Sequence, residues 1–167
     1  NIFGPRQKYD DPYRNVISIM TNRMLRDEQP IIYGDGEQKR SFTYVTDAID
    51  PLEKMGFAPH VVSHAINIGP DEEFVTVNEA ARTIAGILNF KLNPIYVPAR
   101  PQEVKFANCS ADKVRRMLGY KTTTPLKVGI EKTVAWIKSR GAKPFEYHLA
   151  LEIVNDKTPE TWKNKLI

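Results

Sequence analysis

At 167 residues, with 41% hydrophobic and 26% charged side chains, the chain has the size of one ordinary domain and the composition of a packed globular protein, so a disordered or collagen-like chain is excluded and two full domains would be cramped. Its 24 basic and 20 acidic residues leave a net charge of +4 without a long basic run, the pattern of a solvated surface and not of a nucleic-acid partner. The single cysteine, Cys109, excludes an internal disulfide and a cysteine-rich zinc site and fits a reducing, cytoplasmic compartment, while no apolar run approaches the roughly 18 residues that cross a bilayer.

The chain opens on Asn1 and not on Met, directly into the turn-like Asn1-Ile2-Phe3-Gly4-Pro5-Arg6-Gln7, and reads as a fragment or a processed chain. The spacing of Val16, Ile17, Ile19, Met20, Met24 and Leu25 predicts a helix over 15–28 with Asn15 at its amino cap. Pro30-Ile31-Ile32-Tyr33 and Ser41-Phe42-Thr43-Tyr44-Val45 read as short strands on either side of the turn-forming Gly34-Asp35-Gly36-Glu37. A helix over 47–55 accommodates Pro51 in its first turn if Asp47 or a neighbour caps it. Ala65-Ile66-Asn67-Ile68-Gly69 reads as a buried strand. Thr76-Val77-Asn78-Glu79 is a capping box ahead of a helix carrying Ala80, Ala81, Ile84, Ala85, Ile87 and Leu88.

Asn93-Pro94-Ile95-Tyr96-Val97 predicts another strand, followed by a stiff loop from Pro98 to Pro101. A helix over 111–118 has Ser110 as its cap and Gly119 as its stop. Pro125 opens a longer amphipathic helix that Gly141 ends, with Val134, Trp136 and Ile137 as core residues. The segment 143–167, with Phe145-Glu146-Tyr147-His148-Leu149 and Trp162, is apolar enough to pack on the rest, so the expected division is a body at 1–142 and a tail at 143–167.

Candidate chemistry is dispersed. Arg40 follows the glycine turn at a strand start and Arg100 lies between Pro98 and Pro101; each guanidinium suits bidentate phosphate contact, and each equally suits a solvated surface. Asn15 is either an anion site at a helix end or a plain cap. The Glu103 carboxylate can accept from sugar hydroxyls or stay solvated. His60 and His64 are four apart in a non-helical context with no ligand-spaced partner, so no metal site is expected. No Gly-x-Ser-x-Gly marks a nucleophile and Cys109 has no evident activating neighbour. No catalytic residue is assigned. There is no Gly-x-Gly-x-x-Gly turn, so a complete dinucleotide-binding domain is not expected.

The opening Asn1-Ile2-Phe3-Gly4-Pro5-Arg6-Gln7, then Tyr33-Gly34-Asp35-Gly36-Glu37-Gln38-Lys39-Arg40-Ser41-Phe42-Thr43-Tyr44-Val45, Asn67-Ile68-Gly69 and Pro98-Ala99-Arg100-Pro101-Gln102-Glu103-Val104 occur in one order. In that order they resemble the nucleotide-sugar epimerase/dehydratase family of extended short-chain dehydrogenases/reductases, most of all its UDP-glucose 4-epimerase-like branch. The resemblance runs over about residues 1–140. It implies an α/β fold of mixed short strands and helices, the carboxy-terminal substrate-binding part of such an enzyme, with the amino-terminal Rossmann domain that carries NAD and a Tyr-x-x-x-Lys pair absent.

On that resemblance Asn1 bonds the diphosphate-sugar, Asn15 sits against the diphosphate at its helix end, and Arg40 and Arg100 neutralise the phosphates. Glu103 binds the ribose, and Ile31 and Tyr33 frame the base. Ser41 departs from the family pattern, where Asp is common. The implied partners are a UDP-sugar and the missing Rossmann domain, with a homodimer left open; a dehydratase or decarboxylase portion, or a non-catalytic nucleotide-sugar-binding module, is the alternative.

Overall fold

The computed structural model describes residues 1–148, 150 and 154–167; Leu149, the end of the aromatic run read in the tail, lies outside them. The largest core is a stack of three helices, α1 (Val16–Leu25), α3 (Val77–Leu88) and α5 (Leu126–Arg140). Each helix buries the stripe that its periodicity marks. Ile17, Met20 and Met24 of α1 meet Ala80, Ala81 and Ile84 of α3 and Ile130 and Val134 of α5. The small alanines of α3 let its neighbours approach, and burying the larger side chains stabilises the stack by about 25 cal/mol per Å² of apolar surface.

Local signals set the ends of these helices as the sequence leads one to expect. Asn15 caps α1, its Oδ1 accepting from the Ile17 N–H at 2.9 Å. Thr76 and Glu79 form the reciprocal capping box of α3. Pro125 precedes α5 and Gly141 follows it. Trp136, expected in the core, is instead only half-buried, with its ring edge-on to Tyr9 at 5.6 Å; it lies at the margin of the α5 stripe, whose buried members include Ile130, Val134 and Ile137.

Among the described residues, seven short strands arrange around the stack. β1 (Ile2–Phe3) pairs in parallel with β4 (Thr43–Tyr44), and β2 (Ile31–Tyr33) in parallel with β6 (Ile95–Val97). β3 (Lys39–Arg40) lies between antiparallel β5 (Val75–Thr76) and parallel β7 (Phe106–Ala107). Gly129 of α5 is where the helix crosses the first pair: a Cβ there would stand 2.8 Å from the Phe3 ring and 2.9 Å from the Tyr44 ring.

Several expectations require correction. The strand over 41–45 is broken: Thr43 and Tyr44 are extended, but α2 begins at Val45 and runs to Phe57. Pro51 is therefore in the helix interior, where it forfeits a bond to the Asp47 carbonyl. Asp47 is not the cap. Its buried carboxylate accepts from the N–H groups of Thr123 and Thr124 at 3.1 and 3.0 Å, tying α2 to the approach of α5. Ala111 precedes α4 (Asp112–Leu118) in the cap position, yet the Ser110 hydroxyl still accepts from the Asp112 N–H at 3.1 Å and Gly119 closes the helix at φ +66°.

Residues 65–69 are not a strand. A strand needs a neighbouring ladder for its N–H and C=O groups, and no described strand lies beside this run; the Ala65 carbonyl accepts from Lys113 Nζ at 2.7 Å instead. Ile66 and Ile68 pack on a second, smaller cluster built on Val61, Val114 and Leu118. The outer face of α2 next to it leaves Ile49, Leu52 and Phe57 exposed, Phe57 at 84%.

The tail is fastened to the body. Both atoms of the buried Asn22 amide engage the backbone of Lys143, Nδ2 donating to its carbonyl at 2.9 Å and Oδ1 accepting from its N–H at 3.0 Å. The Glu146 N–H then donates to the Asp10 carbonyl at 2.9 Å, and the chain ends in a short helix, α6 (Glu160–Lys163).

Candidate functional site

Tyr33 is the last residue of β2, and the Gly34 N–H carries the pairing one step further by donating to the Val97 carbonyl at 2.9 Å. The glycine turn and the proline loop consequently leave the sheet side by side. The turn is rigid. Gly36 has φ +75°, and a Cβ on it would lie 2.2 Å from Oδ1 of Asn78, so only glycine fits. The buried Asn78 side chain, on the first turn of α3, donates to the Asp35 carbonyl at 2.8 Å and to the Glu37 carboxylate at 2.7 Å, and accepts from the Tyr96 hydroxyl at 3.1 Å.

β3 delivers Arg40 to the same end. Flanked by β5 and β7, its backbone is fixed, and its Nη1 donates to the Lys39 carbonyl at 2.8 Å while Nη2 bonds Oε1 of Glu103. Arg100 approaches the other carboxylate oxygen, with Nε 3.8 Å from Oε2. Two guanidiniums thus share one carboxylate in a partly buried triad, beside a cleft that Asp35, Glu37 and Lys105 also line. Planar guanidiniums supply paired donors for the oxygens of an anion. Oε2, held only loosely, keeps capacity to accept a hydroxyl proton.

The Arg100 guanidinium carbon also lies 5.3 Å from the centre of the Tyr33 ring and 5.4 Å from that of Trp162. Ile31 is two residues before Tyr33 and so shares its face of β2, both half-buried, while Ile32 points into the core. The structure therefore brings together Tyr33, Arg40, Arg100 and Glu103 from three separate stretches of sequence, while Ile31 lies two residues back along β2 opposite Ile95.

Asn1 and Asn15 belong to a neighbouring corner. The Asn1 carbonyl accepts from the Thr43 N–H at 3.1 Å, and Asn1 lines a small cleft with Ser41, Thr43, Gly69 and Cys109. The Asn15 amide is engaged at both ends, Oδ1 in its cap and Nδ2 toward the Ile2 carbonyl at 3.4 Å. Ser41, where the family pattern has Asp, places a buried hydroxyl in this corner with no hydrogen-bond partner among the described residues.

Sequence reasoning missed Asn78, Thr161 and Trp162. None carries a local signal, because the partners of each lie far away in sequence: Asp35 and Glu37 for Asn78, Tyr33 for Thr161 and Arg100 for Trp162. His60 is exposed, with Nε2 3.0 Å from the Met117 carbonyl, and the described residues hold no group of three or more His, Cys, Asp or Glu side chains arranged for a metal. No helix among them is long and apolar enough to cross a membrane.

Residues 1–69 match the NAD dependent epimerase/dehydratase family. A Methanocaldococcus jannaschii protein named "Putative UDP-glucose 4-epimerase" is 36% identical over 141 residues, 83% of this chain and 44% of its own length. A UDP-N-acetyl-alpha-D-glucosaminuronate decarboxylase of Bacillus cytotoxicus is 28% identical over 144 residues, with the same shares covered. The crystal structure of a UDP-glucose 4-epimerase from Thermotoga maritima with UDP-glucose superimposes with a TM-score of 0.73 at 30% identity, over 84% of this chain and 44% of that one. The chain spans a little under half the length of the curated relatives it matches.

Proposed function

Because this chain belongs to the NAD dependent epimerase/dehydratase family, we propose that it is the part of such an enzyme that holds the nucleotide end of a UDP-sugar, in a parent that acts as a UDP-sugar 4-epimerase. One observation carries the reading: the Arg40–Glu103–Arg100 triad beside Tyr33. In it Arg40 and Arg100 take the diphosphate oxygens, Glu103 keeps Oε1 on Arg40 and offers Oε2 to a ribose hydroxyl, and Ile31 and Tyr33 flank the base. Asn1, and the helix end that Asn15 caps, face the sugar side of the diphosphate. Residues 1–142 form this binding portion, and 143–167 pack on it.

In this proposal NAD is held elsewhere in the parent. The sequence has neither a Gly-x-Gly-x-x-Gly turn nor a Tyr-x-x-x-Lys pair, and the described strands form only sheets of two and three. No hydride or proton-transfer step is assigned to this chain, and NAD belongs, in this proposal, to a Rossmann portion of the parent. The lone Cys109 fits the reducing cytoplasm, where we place the protein.

A second reading, a nucleotide-sugar decarboxylase portion, is favoured by the Bacillus cytotoxicus relative, since the same grip on UDP serves either chemistry. Titration calorimetry of the chain with UDP, uridine and free glucose tests the common part. UDP binding well above both others supports it, and equal, negligible heats for all three refute it. Assaying the parent with UDP-glucose and UDP-glucuronic acid separates the two enzymes.

A further inference from the structure

The tail is the one part of the molecule that the family resemblance, ending near residue 140, leaves without a role, yet the structure puts it against the arginine end. Thr161, 1% exposed, shares a hydrogen bond between its hydroxyl and that of Tyr33, and its N–H donates to the same Tyr33 oxygen at 3.1 Å. Trp162 lies over the Arg100 guanidinium at 5.4 Å and meets the edge of Tyr13 at 5.2 Å.

Beyond α6 the chain is pinned again. The Tyr147 hydroxyl donates to the Ile167 carbonyl at 2.6 Å and accepts from the Ile167 N–H at 3.0 Å, and Arg23 Nη1 donates to the Leu166 carbonyl at 3.4 Å. A cleft of about 320 Å³ separates the proline loop from this segment, with Tyr33 and Arg100 on one wall and Asp156, Glu160 and Lys163 on the other.

We infer that the carboxy-terminal segment is a clasp for the binding site, in which Thr161 and Trp162 are positioning residues for Tyr33 and Arg100. The inference rests on reading the arginine end as a diphosphate grip. An arginine side chain loses several rotamers when it is fixed on an anion. A planar guanidinium already held against two rings, one of them the indole that attracts cations most strongly, has lost part of that freedom before the anion arrives, which is preorganisation. The Tyr33 ring is in turn held at its far end by Thr161, so the clasp fixes both the arginine and the aromatic surface beside it. Trp162 acts through Arg100 and need not touch the nucleotide.

The test uses the full chain and two readouts. The first is the rate at which phenylglyoxal modifies Arg100, followed by peptide mass. Trp162→Ala should raise it several-fold and Trp162→Phe much less, because a phenyl ring restores most of the contact. The second is UDP affinity by calorimetry. Trp162→Ala should weaken it about 3–10-fold, the range set by one rotamer-rich side chain left to be immobilised on binding, and Thr161→Val, which removes only the hydroxyl, by less.

In an Arg100→Ala background, Trp162→Ala should change UDP affinity by less than about 2-fold, as expected of a residue that acts only through Arg100. A purely structural tryptophan would weaken binding equally in both backgrounds, and that result overturns the clasp. So does an Arg100 labelling rate that ignores Trp162 while UDP binding still depends on Arg100; in that case the nucleotide reading stands. A labelling rate that responds to Trp162 in a chain that binds no UDP overturns the nucleotide reading and, with it, the clasp's part in binding.

Discussion

The three-helix stack and the arginine end are held by different forces. In the stack, apolar side chains from α1, α3 and α5 close on one another, and each is buried because its own helix turns it inward. At the arginine end, two guanidiniums, a carboxylate and two aromatic rings come together from separate elements beside the glycine turn, and no single element determines the arrangement. On the proposed function, substitutions in the first region should cost stability and those in the second should cost binding, and each can be tested separately.

The largest effect belongs to the stack. Ile84 is fully buried between helices, and Ile84→Ala should cost about 2–5 kcal/mol of unfolding free energy, from lost burial and the cavity left behind. Denaturant unfolding checks this; a cost under about 1 kcal/mol would mean that the stack is not the core it is described to be. A cap on the same helix should matter less. Thr76→Ala removes one half of the capping box and should cost about 1 kcal/mol. Since Thr76 also pairs with Lys39 across β5 and β3, UDP affinity of the folded variant should stay within about 2-fold if stability and binding are separate, because the pairing itself runs through backbone groups.

The smallest effect is set by pH. Hydrogen bonds from Arg115, then from the Ala111 N–H, lower the Asp71 carboxyl from its ordinary value of 3.8 to about 2 in the folded chain. A depressed folded value contributes stability that is present above pH 4 and is lost as the pH falls from about 4 through about 2. Thermal midpoints across that window should fall less steeply in Asp71→Asn than in wild type. Equal slopes would show that the Asp71–Arg115 pair plays no part in the acid response.

What the sequence disclosed follows the reach of the forces. The Thr76–Glu79 box and the Asn15 cap act within a few residues, and both are found where the spacing places them. Residues 65–69 have the side chains of a strand, but a strand is defined by its neighbour and theirs is not among the described residues. Asp47 has the chemistry of a cap and spends it on Thr123 and Thr124, 76 and 77 residues away.

At the candidate site, the residues alone leave Arg40, Arg100 and Glu103 open between ligand contacts and a solvated surface; the ordered motifs of the family resemblance gather them, and the structure sets them in hydrogen-bond or near-contact distance. Asn22 on Lys143 and Trp162 on Arg100 are contacts between distant residues of ordinary type, for which neither spacing nor motif gives a signal.

The most direct measurement of the central claim is calorimetry of UDP against wild type, Arg100→Lys and Arg100→Ala. Arg100 lies in a loop stiffened by Pro98 and Pro101 and shares Glu103 with Arg40. Arg100→Ala should therefore weaken UDP binding by about 2–3 kcal/mol and Arg100→Lys, which keeps the charge and loses the fork, by about 1–2 kcal/mol, with both variants still folded at the temperature of the titration. An Arg100→Ala variant that binds UDP as wild type does would contradict the account, because the arginine end would then be a surface charge cluster and not a grip on a diphosphate.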